Sequence, residues 1–229
     1  MGITYNTSTI RNGLVFCVDA ANIKSYPGSG TSWTELNGTG QVGTLTNGPT
    51  YSSGAIVLDG ANDYVTFGST LTSLDLTSKT IQCWIKKTAD GSYGIFDKDF
   101  DNGEPNYGGW GLWIQSNNKL WWWNHANKDL LDDGSLTVTN NVWTNVAVTY
   151  NYSTYTASFY YNGVLSTSKT NNAIVEKAST GQNLLIGTTR GATNFFFPGS
   201  IANVMAYNRV LTQAEIIRNY EALRGRYGV

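Results

Sequence analysis

Residues 145–163, NVAVTYNYSTYTASFYYNG, decide the fold. Apolar and polar side chains alternate along 145–150 and again along 157–161, the period of a half-buried strand rather than of a helix. The second run enters Asn162-Gly163, a dipeptide that tolerates the positive φ of a tight reversal and is the strongest short hairpin signal in the chain. Working outward, further strand-like runs occupy 14–18, both sides of a Gly60-Ala61-Asn62-Asp63 turn within 55–67, then 80–86, 92–96, 184–187 and 200–207. Strands about every ten residues, separated by turns, predict an all-β, two-sheet antiparallel sandwich. Residues 24–49 read mostly as loop, pinned by Trp33 and Leu36.

A second hairpin lies in residues 107–123, YGGWGLWIQSNNKLWWW, which hold five of the eight tryptophans. With Asn117-Asn118 as a two-residue loop, Ser116 faces Lys119, Ile114 faces Trp121, Trp113 faces Trp122 and Leu112 faces Trp123. That register puts Trp110, Leu112, Ile114, Trp121, Trp123 and His125 on a core face. Gly111, Trp113, Gln115, Leu120, Trp122 and Asn124 fall on a mixed one. A tryptophan pair among amides is the form of a sugar-stacking platform, and equally of packing under a loop.

The end of the chain predicts one short helix over about 212–224. Thr212 and Glu215 have capping-box spacing, Leu211 and Ile216 are placed as a hydrophobic staple, and Ile216, Ile217, Tyr220 and Leu223 form the apolar stripe. Gly225 is the expected stop, and Arg218, Arg224 and Arg226, beside Glu215 and Glu221, read as a solvated face. Residues 1–12 are polar and aperiodic, an arm that would order on a partner. Residues 13–229 then form a single domain that includes the helix.

Across all 229 residues, 41% are apolar, 13% aromatic and 14% charged, with a net charge of −1. Without a basic cluster there is no electrostatic footprint for nucleic acid or an anionic membrane. No apolar run is long enough to span a bilayer, and MGITYNTSTIRNGL lacks the apolar core of a secretory signal. Cys17 and Cys83 lie on apolar strands and are expected to stay reduced; a bridge between them is open if those strands meet.

Several segments together resemble the laminin G-like, concanavalin A-like lectin fold. They are Gly13-Leu14-Val15-Phe16 with Asp19-Ala20, Leu58-Asp59-Gly60-Ala61-Asn62-Asp63-Tyr64-Val65, and residues 143–150 with Tyr161-Asn162-Gly163. Residues 185–187, 197–201 and 207–216 complete the order. The resemblance implies a jelly-roll sandwich. One departure is Ala202-Asn203-Val204, where such domains often carry an acidic pair. DAANIKSYPGSGTSW (19–33), LTNGPTY (45–51) and LTQAEIIRNYEALRGRYG (211–228) further resemble laminin G-like proteins of tailed bacteriophages. That resemblance implies a non-enzymatic virion surface protein, made in host cytoplasm, that decorates a capsid or forms part of a fibre. Its partners would be other capsid or tail proteins, further copies of itself and a host or environmental polysaccharide. The alternative is a carbohydrate-binding module outside any virion.

Candidate chemistry gathers at the loop before the tryptophan hairpin. Trp113, Trp122 and Tyr107 offer aromatic planes for sugar C–H faces, and Asp101 and Asn102 offer hydroxyl partners. Asp97, Asp99, Asp101 and Glu104 are oxygen donors at spacings like those of calcium loops, although Asn102 stands where such a loop needs glycine. No cofactor is required, and calcium is the candidate metal. Asp59, Asn62 and Asp63 are a second acidic group whose turn-forming role explains them better. Catalysis lacks a constellation: His125 is the single histidine, and no strand carries the paired carboxylates of glycoside hydrolysis.

Overall fold

The computed structural model describes residues 8–101, 107–123, 130–132, 134–171, 177–179, 181–189, 192 and 194–229, with only the backbone of Phe100, Asp101 and Tyr107. Two antiparallel sheets pack face to face. The first runs β16 (Val164–Thr170), β15 (Thr156–Tyr161), β14 (Thr144–Asn151), β7 (Lys79–Lys87), β18 (Pro198–Tyr207), β5 (Ala55–Asp59) and β4 (Thr50–Ser52); β1 (Leu14–Asp19) also pairs with β18. The second runs β13 (Leu130–Leu131), β12 (Leu120–Trp123), β11 (Gly111–Ile114), β8 (Tyr93–Asp97), β17 (Leu185–Ile186), β6 (Tyr64–Thr66), β3 (Val42–Thr46) and β2 (Ser32–Thr34). A small ladder, β9 (Phe100–Asp101) with β10 (Tyr107–Gly108), leads into β11. The stretch 24–49, expected to be mostly loop, therefore supplies two strands of the second sheet. Short Ser/Thr/Gly-rich strands carry a weak period-2 signal, which is why they read as loop.

The decisive hairpin forms as its sequence dictates. Tyr161 pairs with Val164, and Asn162 and Gly163 both take positive φ, 49° and 78°, the requirement of a two-residue type I′ turn. β14 then lies between β15 and β7 and turns Val146, Val148 and Tyr150 into the space between the sheets. Phe16, Ile81, Cys83, Phe96, Trp110, Leu112, Trp122 and Ile186 fill the same core. At one end of it Lys79 is fully buried, its ammonium 5.5–5.9 Å from the ring centres of Trp110, Trp122 and Tyr150. Rings at that range give the cation electrostatic compensation for lost water. Nearby, Asp75 gathers the Trp110 indole N–H (3.2 Å), the Ser179 hydroxyl (2.5 Å) and the Lys98 ammonium (3.5 Å). Burial lowers the pKa of Lys98 and Asp75 opposes that shift.

The tryptophan hairpin corrects the expected register by one residue. Gln115 N–H donates to Lys119 O at 2.9 Å, and Asn118, at φ 65°, takes the left-handed position of a three-residue turn. Trp113 consequently faces Trp121, Leu112 faces Trp122 and Gly111 faces Trp123. Because side chains alternate, this one-residue slip exchanges the faces of β12. Trp122 joins the core, while Trp121 and Trp123 pass to the outer surface with Trp113.

The other flank of the sandwich holds α1 (Gln213–Leu223). Thr212 and Glu215 complete both halves of the capping box, and Leu211 and Ile216 are buried as a staple requires. Arg209 reaches Glu215 at 2.7 Å and, with the cap, holds its pKa down at about 2. Gly225 is not a left-handed stop; the helix tightens into a 3-10 turn, Arg224–Arg226. Under α1, Asn219 bridges Gln82 (2.9 Å) and Tyr207 (3.0 Å) while Gln82 reaches Asn145 (2.7 Å), a buried amide chain that fixes helix to sheet. Ile217 leaves the expected apolar stripe and is exposed, and Asn219 takes the buried place. The described part of the N-terminal arm docks here: Ile10 N–H donates to Asn219 Oδ1 at 2.7 Å, and Arg218 donates to Ser8 O.

Cys17 and Cys83 are both free thiols. β18 lies between their strands, and Cys17 packs outward toward the helix side while Cys83 points into the core. A bridge between them is excluded by that geometry.

Candidate functional site

The outer surface of the second sheet is the place where the sequence-derived candidates and the structure meet. Its longest cross-strand row runs Trp123, Gly111, Asp97, Leu185, Thr66, Thr44 and Ser32. Beside it stand Trp121, Trp113 and Gly94 at one end and Tyr64 and Thr46 at the other. One half of the surface is aromatic and the other is hydroxyl-bearing.

Trp113 anchors the aromatic half. Its indole N–H donates to Asp97 Oδ2 at 2.6 Å, and Asp97 Oδ1 accepts the backbone N–H of Asp99 at 3.2 Å. Trp123 stacks on it at 5.7 Å and 18°, Trp121 meets it edge-on at 4.9 Å, and Phe195 covers its other side at 5.3 Å. Gly111 permits this arrangement, since a Cβ there would sit 2.1 Å from Asp97 Oδ2 and 2.5 Å from the Trp113 nitrogen. Gly94 does the same for the segment above it: a Cβ would lie 2.2 Å from Thr189. Gly94 N–H donates to Phe195 O, which holds Phe195 at the sheet. Phe195 then reaches Trp113, and Phe196 lies 6.5 Å from Tyr64.

The aromatic side chains left partly open on this surface are Trp121, Phe195, Phe196 and Tyr64, with Thr46 and Thr66 partly open and Thr44 exposed beside them. Trp121 is open only in part: its Nε1 is buried and has no acceptor among the described residues. Rings present apolar surfaces to sugar C–H groups, and threonine hydroxyls exchange hydrogen bonds with sugar hydroxyls.

The sequence-derived pair is divided. Trp113 is 0% exposed, an anchor rather than a plane, and Trp122 is also 0% exposed but on the opposite face, stacked on Trp110 at 6.1 Å. Two tryptophans side by side on one surface are thus Trp113 and Trp121. Asp101 and Tyr107 pair through their backbones in the β9–β10 ladder, while Asn102, Glu104 and His125 lie outside the described residues. Of the calcium donors, Asp97 and Asp99 are buried, and Asp97 has both oxygens engaged as above. Among the described residues no group of three or more His, Cys, Asp or Glu could hold a metal ion. Asp59 is a turn former: its Oδ1 accepts from Ala61, Asn62 and Asp63 N–H groups, which lower its pKa.

Sequence reasoning missed Trp121, Phe195, Phe196 and Tyr64. Trp121 was lost to the register, but Phe195-Phe196-Phe197 before Pro198 was a visible signal, since three aromatics in a turn-rich segment rarely all face inward.

Residues 59–217 match the family model of the concanavalin A-like lectin/glucanases superfamily. The chain belongs to that superfamily. Solved structures share this lectin-like fold at low identity. Domain 4 of AbnA, a GH43 extracellular arabinanase from Geobacillus stearothermophilus in complex with arabinotriose, is 17% identical with a TM-score of 0.66, covering 90% of this chain and 98% of that one. The binding domain of Paraclostridial Mosquitocidal Protein 1 is 16% identical with a TM-score of 0.67, covering 91% of this chain and 52% of that one. A Trypanosoma rangeli sialidase in complex with sialic acid is 15% identical with a TM-score of 0.66, covering 93% of this chain. The lectin-like chain spans 33% of the length of that sialidase. Among curated proteins, none matches the sequence significantly.

Proposed function

We propose that this lectin-like domain is a non-enzymatic carbohydrate-binding protein that takes a glycan across the outer surface of the second sheet. Trp121 and Phe196 would stack on sugar rings, and Thr44, Thr46 and Thr66 would bond their hydroxyls. The observation that carries this is the set of partly open aromatics, Trp121 and Phe195 against Trp113 and Phe196 beside Tyr64, bordered by hydroxyls. Similarity in fold to the arabinanase domain seen with arabinotriose supports it. A binding role without cleavage is in keeping with Asp97, the carboxylate of the row, whose oxygens accept from Trp113 and Asp99. Calcium is not needed for such stacking.

The setting we propose is a virion surface, with the domain docked on capsid or tail proteins; this rests on the sequence resemblance of residues 19–33, 45–51 and 211–228. A glycan array of plant, bacterial and algal polysaccharides tests the binding. Saturable signal on at least one polysaccharide class supports it, and uniform silence at high protein concentration overturns it. Mass spectrometry of purified particles tests the setting independently.

A further inference from the structure

The opposite flank of the molecule carries a cavity of about 340 Å³ beside the end of α1. Its floor contains Cys17 and Met205, which face each other across β1 and β18, and Asn203, which faces Asp19 in the same ladder. Arg226 forms one wall with its guanidinium 2.5 Å from Asp19 Oδ2, and Leu36 and Leu223 supply apolar sides. Arg11 and Lys24, both exposed, stand at the rim. Three cationic side chains therefore border the space with one carboxylate, and Arg226 already engages it. Glu35, close enough to act on the Cys17 thiol, turns its oxygens to the backbone N–H groups of Cys17 and Asn37 and to the Thr39 hydroxyl.

Asn203 matters for the balance. It is 2% exposed, donates its amide to Val18 O at 2.8 Å, and leaves its Oδ1 without a donor among the described residues. An aspartate there would set a second carboxylate opposite Asp19 and halve the cationic excess. The amide keeps the cavity positive and offers an acceptor. A cavity of this size, apolar on two sides with a few converging polar groups, has the build of a small-molecule site.

We propose that the cavity is a second ligand site, separate from the glycan surface, for a small polyhydroxylated carboxylate such as a sugar acid. Arg11 and Lys24 take the carboxylate, Asn203 Oδ1 accepts a hydroxyl, and Leu36 and Leu223 meet the apolar ring face. This does not depend on the glycan proposal.

Titration of the full chain with galacturonate and glucuronate, followed by amide chemical shifts, tests it. The expected result is saturable shifts at Cys17, Asn203 and Met205, with neutral galactose giving none. Arg11→Ala and Lys24→Ala, both at exposed positions, should each weaken binding about five- to tenfold, the loss of one charge-assisted contact. Asn203→Asp should abolish binding while far-UV circular dichroism stays unchanged. The proposal is overturned if neither acid gives a saturable shift at about 20 mM, a Kd too weak for a formed site. It is equally overturned if galactose binds as well as the acids, or if propionate or inorganic phosphate reproduces the same shifts, which would mark a non-specific anion patch.

Discussion

Trp113 donates its indole N–H to Asp97 Oδ2 at 2.6 Å, and this bond removes both residues from the roles suggested by their positions in the chain. Fixed in this way, Trp113 is 0% exposed, packed against Trp123 and Phe195, and so is no free stacking plane, while Asp97 has both oxygens engaged within the protein. Trp113→Phe should lower stability by about 2 kcal/mol, since a buried carboxylate then loses a charge-assisted donor. Asp97→Asn, which keeps an acceptor, should cost less. Urea denaturation of the two variants gives the comparison.

The register at Asn118 separates the tryptophans into structural and surface sets. Trp122→Ala should cost about 3–5 kcal/mol, the range for emptying a large aromatic site in a closed core. Trp121→Ala, at a partly open site, should cost about 1 kcal/mol. Equal losses measured by denaturation would mean that the two residues share an environment.

How far the sequence was legible follows from such residues. Asn162-Gly163, Thr212 with Glu215, and the Asp59–Asp63 turn are local devices whose chemistry is complete within a few residues, and each forms as expected. The tryptophan hairpin is not local in that sense. Ser116-Asn117-Asn118 accommodates a two- or a three-residue turn, and only the packing of Trp122 against Trp110 and Tyr150 selects between them. Tyr64 and Phe196, more than 130 residues apart in sequence, meet only because β6 and residues 194–196 are brought to one surface. Short strands such as β2 and β3 are likewise fixed by their neighbours.

Glu215 sets an acid limit. Its folded pKa, about 2 against a usual 4.5, means the contribution is present above pH 4.5 and is lost as pH falls toward 2. With the side chains of the pair 25–29% exposed, solvent screening reduces the full linkage, leaving about 1–2 kcal/mol. Glu215→Gln should be less stable than the parent by that amount at pH 7. The gap should close between pH 4.5 and 2, as followed by thermal melts across that range.

The thiols should be unreactive in the folded protein. Burial and the neighbouring Asp19 and Glu35 raise the pKa of Cys17 to about 12, and burial alone raises that of Cys83. Iodoacetamide at pH 8 should label neither thiol appreciably in the native state and both after denaturation, with no disulfide-linked mass in non-reducing digests.

The central proposal, a glycan lying across the outer surface of the second sheet, is tested most directly by calorimetric titration of the best polysaccharide from the array into the parent, Trp121→Ala and Lys86→Ala. Lys86 lies on the other sheet, where it contacts Trp143. The expected result is a loss of about 1–3 kcal/mol of binding energy for Trp121→Ala, the scale of one stacked ring, and parent affinity for Lys86→Ala. Undiminished affinity in a folded Trp121→Ala protein would contradict the proposal and place the glycan elsewhere.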